Sequence, residues 1–223
     1  MRRTAALSLL LLPALAGCTS DKPAEEAPSE PTPSASVAPI SVSGTLAAYA
    51  PGVTAITYDP ALAPVGATMK IDMAPAGAGL SVSLTAGGLK PTRAYGAHVH
   101  AMPCGAKATD SGPHLQHTPD PAASASPPSV DPNYANPGNE VWLDLTTDAT
   151  GTGTGASTTP WRFTDAPRSV VLHAEATKTE PGKAGTAGAR IACLSLPADG
   201  AASATPLTPP PTATATATAT ATP

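Results

Sequence analysis

Between residues 53 and 196 the apolar positions fall two apart rather than three or four apart. Met69, Ile71 and Met73 alternate with Lys70 and Asp72, and Leu80, Val82 and Leu84 alternate with Ser81 and Ser83. That spacing puts one face of a strand in a core and the other in water. Further strands are predicted over 94–101, 140–147, 161–163, 169–174 and 189–196. Gly87-Gly88, Lys90-Pro91, Thr150-Gly151 and Ala166-Pro167 mark turns between them. No stretch carries a capped 3.6-residue period, so the pattern predicts an all-β domain, an antiparallel sandwich or flattened barrel. Two connections, at about 102–139 and 175–189, are longer than a compact domain normally tolerates, and such loops usually carry function.

The two ends of the chain follow different rules. Arg2 and Arg3 precede an apolar run from Ala5 to Ala16, the pattern of an export signal and too short to span a bilayer. Leu15-Ala16-Gly17-Cys18 resembles a bacterial lipobox. The resemblance implies removal of residues 1–17, lipidation of Cys18 and anchoring to the outer face of the cell membrane. Residues 18–41 are rich in Pro, Ser, Ala and Glu and read as a flexible tether. Residues 198–223 decay into Thr-Ala repeats that offer no large side chain to bury, and read as a disordered tail. A domain over 42–197 remains, about 155 residues, enough for one hydrophobic core.

Charge narrows the partners. Without Arg2 and Arg3 the 12 basic residues become ten, against 16 acidic ones. A net charge near −6 with no basic patch argues against nucleic acid. Of the 3 cysteines, Cys18 goes to lipid, which leaves Cys104 and Cys193 as a disulfide pair in an oxidising compartment. Nothing in the pattern selects an oligomeric state.

The chemistry concentrates in histidine, of which the chain has 5. His98 and His100 stand at i and i+2 in a strand-like run, so both project to one side and can reach one metal ion. His173 ends another apolar strand, and His114 and His117 lie in the first long loop. Imidazole is a preferred ligand for copper and zinc. Trp142, Trp161 and Phe163 read as core, and Asn139, Glu140 and Asp144 as turn-capping residues in preference to the rim of a metal pocket.

Arranged in order, these motifs resemble the copper/zinc superoxide dismutase family. Gly96-Ala97-His98-Val99-His100 is similar to that family's Gly-Phe-His-Val-His strand. Ser111-Gly112-Pro113-His114 is similar to the segment whose histidine bridges copper and zinc. Val171-Leu172-His173 resembles the strand with the last copper ligand, and Gly185–Cys193 the closing motif with its anion-guiding arginine, here Arg190. The resemblance runs from about Gly66 to Leu196. It implies a Greek-key antiparallel β-sandwich of about eight strands with two long functional loops. It further implies copper on His98, His100, His114 and His173, with His117 a weaker candidate ligand, and Arg190 and His114 as catalytic residues acting on superoxide.

Departures from the family pattern lie on the zinc side. The stretch Asn136–Leu145 has no histidine where the family has His-x-Gly-Asp-Leu, and Thr177 replaces the aspartate that links the two metal sites. These losses imply a copper-only relative without zinc. The free nitrogen of His114 then needs a new partner, for which Asp110, Asp120, Glu140 and Asp144 are candidates. The expected activity is copper-dependent disproportionation of superoxide to dioxygen and hydrogen peroxide at the cell envelope. The alternative is an envelope copper-binding or buffering protein with little turnover.

Overall fold

A computed structural model describes residues 39–124 and 126–198. The signal segment 1–17, Cys18, most of the tether and nearly all of the Thr-Ala tail lie outside the described residues. Within them the chain forms ten strands and one short 3-10 turn, Ala108–Ser111. The strands are β1 Ile40–Thr45, β2 Ala55–Thr57, β3 Thr68–Ala76, β4 Gly79–Gly87, β5 Ala94–Tyr95, β6 Ala97–His100, β7 Leu145–Thr146, β8 Gly153–Thr159, β9 Ser169–His173 and β10 Arg190–Ser195. Eight of them make two four-stranded sheets, ordered β1-β3-β4-β8 and β2-β10-β9-β6, while β5 and β7 pair separately. All strand pairs are antiparallel. The chain crosses repeatedly from one sheet to the other, as in a β-sandwich.

Alternation builds the first sheet as expected. Met69, Ile71 and Met73 of β3 and Leu80, Val82 and Leu84 of β4 are buried, while Lys70 between them is exposed. In the second sheet every residue of β6 and β9 is buried. These strands lie beneath long loops as well as against the core, so both faces are covered.

Two local expectations need correction. Residues 161–163 form no strand; Trp161 packs at the edge of the core and donates Nε1–H to Gly138 O at 2.7 Å. The strand before them is β8, whose Gly-Thr-Gly-Ala-Ser-Thr-Thr sequence has almost no bulky residue. The stretch 140–147 is strand only at its end, Leu145–Thr146. Upstream it lies alongside β6 through one isolated bridge, His98 with Trp142, and alongside the first long loop through another, Gln116 with Glu140.

The glycines of β8 explain how this crowding is tolerated. A Cβ at Gly155 would collide with the Leu143 carbonyl and lie 2.7 Å from that of Asp144. The backbone of 143–144 thus passes over β8 where only hydrogen leaves room. Cys104 and Cys193 form a disulfide, Cα to Cα 5.8 Å, across a sequence separation of 89. It ties the first long loop to β10, and in the chain-entropy picture is worth about 4 kcal/mol.

Gly155→Ala is expected to lower stability by about 1–3 kcal/mol, the usual cost of overpacking, read as a lower midpoint in urea. An unchanged midpoint would mean that 143–144 is not held against β8.

Candidate metal centre

β6 is the axis of the site. β9 pairs with one of its edges, placing Val171 opposite His98 and Ser169 opposite His100. The first long loop lies along its other edge: Leu115 N–H donates to Val99 O at 2.9 Å and Ala101 N–H to Pro113 O at 3.0 Å, which sets His114 beside His100. His173, at the end of β9, donates its backbone N–H to Gly96 O at 2.8 Å. Four imidazoles from three segments therefore meet at one end of the sandwich.

Their rings are close. The His98 centroid lies 4.1 Å from that of His114 and 4.9 Å from that of His173, and the His100 centroid 4.8 Å from that of His114. Taking one nitrogen from each of His98, His100, His114 and His173, the four atoms lie within 4.8 Å of one another. His98 and His100 are fully buried, and His173 is 4% exposed. His117 is not brought into this group. Its ring stacks on Trp161 at 4.7 Å with an interplanar angle of 6°, which corrects its candidacy as a ligand: a side chain fixed on the indole is engaged elsewhere.

In each ring one nitrogen is occupied and the other is not. His100 Nδ1 faces Gly112 O at 3.0 Å and His173 Nδ1 faces Gly188 O at 3.4 Å. A carbonyl only accepts, so both rings carry their proton on Nδ1. His114 Nδ1 lies 2.7 Å from Glu140 Oε2, which puts its proton there too. His98 meets the Thr177 hydroxyl through Nε2, at 2.8 Å. The opposite nitrogens of the three most buried rings (His98 Nδ1, His100 Nε2 and His173 Nε2) have no hydrogen-bond partner among the described residues. Leaving a buried polar atom unpaired costs roughly 1–3 kcal/mol. Three such atoms aimed at one another, with His114 completing a fourth side, fit a bound metal ion that accepts their lone pairs.

Burial also keeps these imidazoles neutral. Desolvation, and next the neighbouring His114, push His98 and His100 well below the ordinary histidine range. The same causes lower His173 to about 3. Neutral imidazole is the form that binds metal.

Glu140 was expected to cap a turn, and it does not. It is 2% exposed, and its carboxylate accepts from His114 Nδ1, from Trp142 Nε1 at 2.7 Å and from Gln116 Nε2 at 2.9 Å. It is thus the member of the candidate set that partners His114. The others are engaged elsewhere: Asp110 accepts from Lys107 N–H, Asp120 from Ser129 and Asp144 from Thr177. Trp142, expected in the core, is half-buried with its indole 5.8 Å from the His98 ring. Spacing alone could not select Glu140 from the four candidate acids or reveal the contact of Thr177 with His98, since these contacts span 26 and 79 residues of sequence.

A cavity of about 410 Å³ reaches two of the histidines, lined by His114, His173, Glu140, Arg190, Asp120, Asp165 and the Gly185–Gly188 segment. The β9–β10 register shifts between Arg190 and Ala192. Arg190 Nη1 donates to Ser111 Oγ at 2.8 Å and Ala108 O at 3.2 Å, bonds that hold the guanidinium at the cavity wall. Burial lowers its pKa from the ordinary arginine value, yet arginine remains charged in proteins.

The sequence profile described as copper/zinc superoxide dismutase (SODC) matches residues 65–195. No curated protein sequence matches the chain. Among solved structures, a double mutant of a SOD-like protein from Bacillus subtilis is similar at 17% identity over 57% of this chain and 87% of that one, with a TM-score of 0.41. A Cu/Zn superoxide dismutase from Brucella abortus is similar at 18% identity over 70% of this chain and 98% of that one, with a TM-score of 0.42. With more than half of its length matched by the family profile, this chain belongs to the copper/zinc superoxide dismutase family.

Proposed function

We propose that the protein is a copper-dependent superoxide dismutase without zinc, acting at the cell envelope from a lipid anchor at Cys18, with residues 42–197 as its catalytic domain. The observation that carries the reading is the set of buried imidazole nitrogens lacking any other partner. His98, His100, His114 and His173 would hold the ion. When bound, copper supplies the reversible one-electron couple that conversion of superoxide to dioxygen and hydrogen peroxide requires, which zinc cannot supply.

The remaining work belongs to the chain. Arg190 is a fixed cation on the wall of a cavity that also carries Asp120, Asp165 and Glu140, so it is the group that draws a small anion inward. Local steering of this kind raises on-rates by about 10–10³-fold. His114 Nε2 is the atom placed to hold a proton: with Nδ1–H bound to Glu140, a ring protonated at Nε2 faces a carboxylate that offsets its charge. Absence of zinc is supported by the same contact, because the nitrogen that a bridging histidine would give to a second metal is hydrogen-bonded to Glu140 Oε2 at 2.7 Å.

Loading the purified protein with copper and zinc together, followed by elemental mass spectrometry, is expected to give one copper and no zinc per chain. Two metals per chain would overturn the zinc-free reading. The copper-loaded protein should remove superoxide much faster than free chelated copper does, as followed by pulse radiolysis. Arg190→Ala should slow it about tenfold or more while leaving copper affinity nearly unchanged. A wild-type rate no better than chelated copper would instead favour copper buffering.

The neutral histidines also set a pH dependence for the metal-free protein. The unfolded chain binds protons at these rings below about pH 6.5, which the folded chain refuses because its values are depressed. Their contribution is whole above that pH and is lost as the pH falls toward about 3, the value for His173. Urea midpoints of the metal-free protein should drop between pH 7.5 and 5, above the range where its carboxylates titrate. A constant midpoint would mean the rings are not buried neutral.

A further inference from the structure

The His98 ring is the one ligand candidate whose occupied nitrogen faces neither a carbonyl nor a carboxylate. It meets Thr177 Oγ1 at 2.8 Å through Nε2, and a hydroxyl can donate or accept. What lies behind the hydroxyl decides which. Thr177 Oγ1 is 2.7 Å from Asp144 Oδ1, and Thr177 N–H donates to Asp144 Oδ2 at 2.8 Å. An ionised carboxylate only accepts, so the single hydroxyl proton goes to Asp144. The lone pair left on Oγ1 then accepts from His98, and Nε2 must carry the hydrogen. Asp144 itself lies 3.9 Å from Nε2, too far to bond it directly.

We propose that Thr177 and Asp144 form a relay that positions His98, fixing its proton on Nε2 and leaving Nδ1 bare toward the centre of the four-histidine cluster. Thr177 is thus a positioning residue that extends the reach of a carboxylate by one hydroxyl. The geometry around the relay is built for it. Asp144 Oδ1 also accepts Ala97 N–H at 3.1 Å, so it ties the segment before β7 to β6 at the residue preceding His98. Gly96 makes room for the threonine: a Cβ there would stand 2.9 Å from Thr177 Oγ1 and 2.9 Å from Glu175 O. His98 Nδ1 is buried with no other partner among the described residues, the outcome the relay requires. The other three rings have direct acceptors at Nδ1, so His98 should carry the opposite tautomer from its neighbours.

The test uses the metal-free full-length chain, labelled with ¹³C and ¹⁵N at histidine, with ring tautomers read by two-bond proton–nitrogen NMR correlations. The expected spectrum has His98 protonated at Nε2, and His100, His114 and His173 at Nδ1. T177V should abolish the pure Nε2–H form of His98, T177S should restore it, and copper(II) affinity in chelator competition should fall about tenfold or more for T177V alone. Finding His98 protonated at Nδ1 in the wild type, or unaltered by T177V, overturns the relay. Should T177V fail to fold, the wild-type and T177S spectra decide the question by themselves. The affinity readout rests on the copper reading, whereas the tautomer readout does not. A wild-type protein that shows the expected tautomers but binds no copper would sink the copper reading and leave the relay standing.

Discussion

A buried imidazole with a bare nitrogen is unstable company for an apolar core, and this fold holds three of them within one small volume. Each has one nitrogen anchored and the other abandoned, so the cost is not accidental disorder in side-chain placement. It arises because the anchors (Gly112 O, Gly188 O and the Thr177 hydroxyl) sit on the outer side of the rings. The lone pairs are turned inward, where no protein atom meets them. A folded chain bears such a cost when a ligand returns it, and a metal ion that accepts several lone pairs at once does so. Much else in the architecture follows from keeping those anchors in place.

All three anchors come from the two long loops, and loops need fastening. The Gly112 carbonyl lies in the first long loop, which is bonded to β6 through Leu115 and Ala101, to β10 through Arg190, and is closed by the disulfide at Cys104. The Gly188 carbonyl lies in the second, which is bonded back on itself by Ala174 N–H to Ala189 O and Glu175 N–H to Ala187 O, each 2.8 Å. Arg190 serves both: it begins β10, opposite His173, and its guanidinium grips Ser111 of the first loop. The guanidinium therefore joins the first loop to the strand that follows the second.

The sequence showed much of this and concealed the rest for definable reasons. Alternation exposed β3 and β4, because one side of that sheet faces water and Lys70 and Asp72 interrupt the apolar set. It was blind to β8, where the inward side is made of Gly153, Gly155, Ser157 and Thr159, since the 143–144 backbone fills the space that larger side chains would need. The His-x-His spacing was legible because a strand puts both rings on one side within three residues. Glu140 stood only as one of four possible partners of His114, and Thr177 only as the replacement of an aspartate; the fold selects between the acids and brings Glu140 against His114 and Thr177 against His98. Trp142 was misread for a related reason: its indole closes the Glu140 contact beside His98 rather than filling the sandwich.

The stretch 140–144 supports two of the four rings at once. Glu140 holds His114 directly, and Asp144 holds His98 through Thr177. Between them Val141 and Leu143 are fully buried and bonded to β6, with Val99 N–H donating to Val141 O and Leu143 N–H to Ala97 O. Alternation therefore does a second job here. Odd positions of the segment anchor it in the core, and even positions present carboxylates, and the Trp142 indole, toward the site. Two carboxylates on one short segment thus orient His114 and His98. Such a support acts through hydrogen bonds alone. Its strength therefore depends on the 143–144 backbone staying pressed against Gly155, which links the geometry of the rings to a glycine on the opposite sheet.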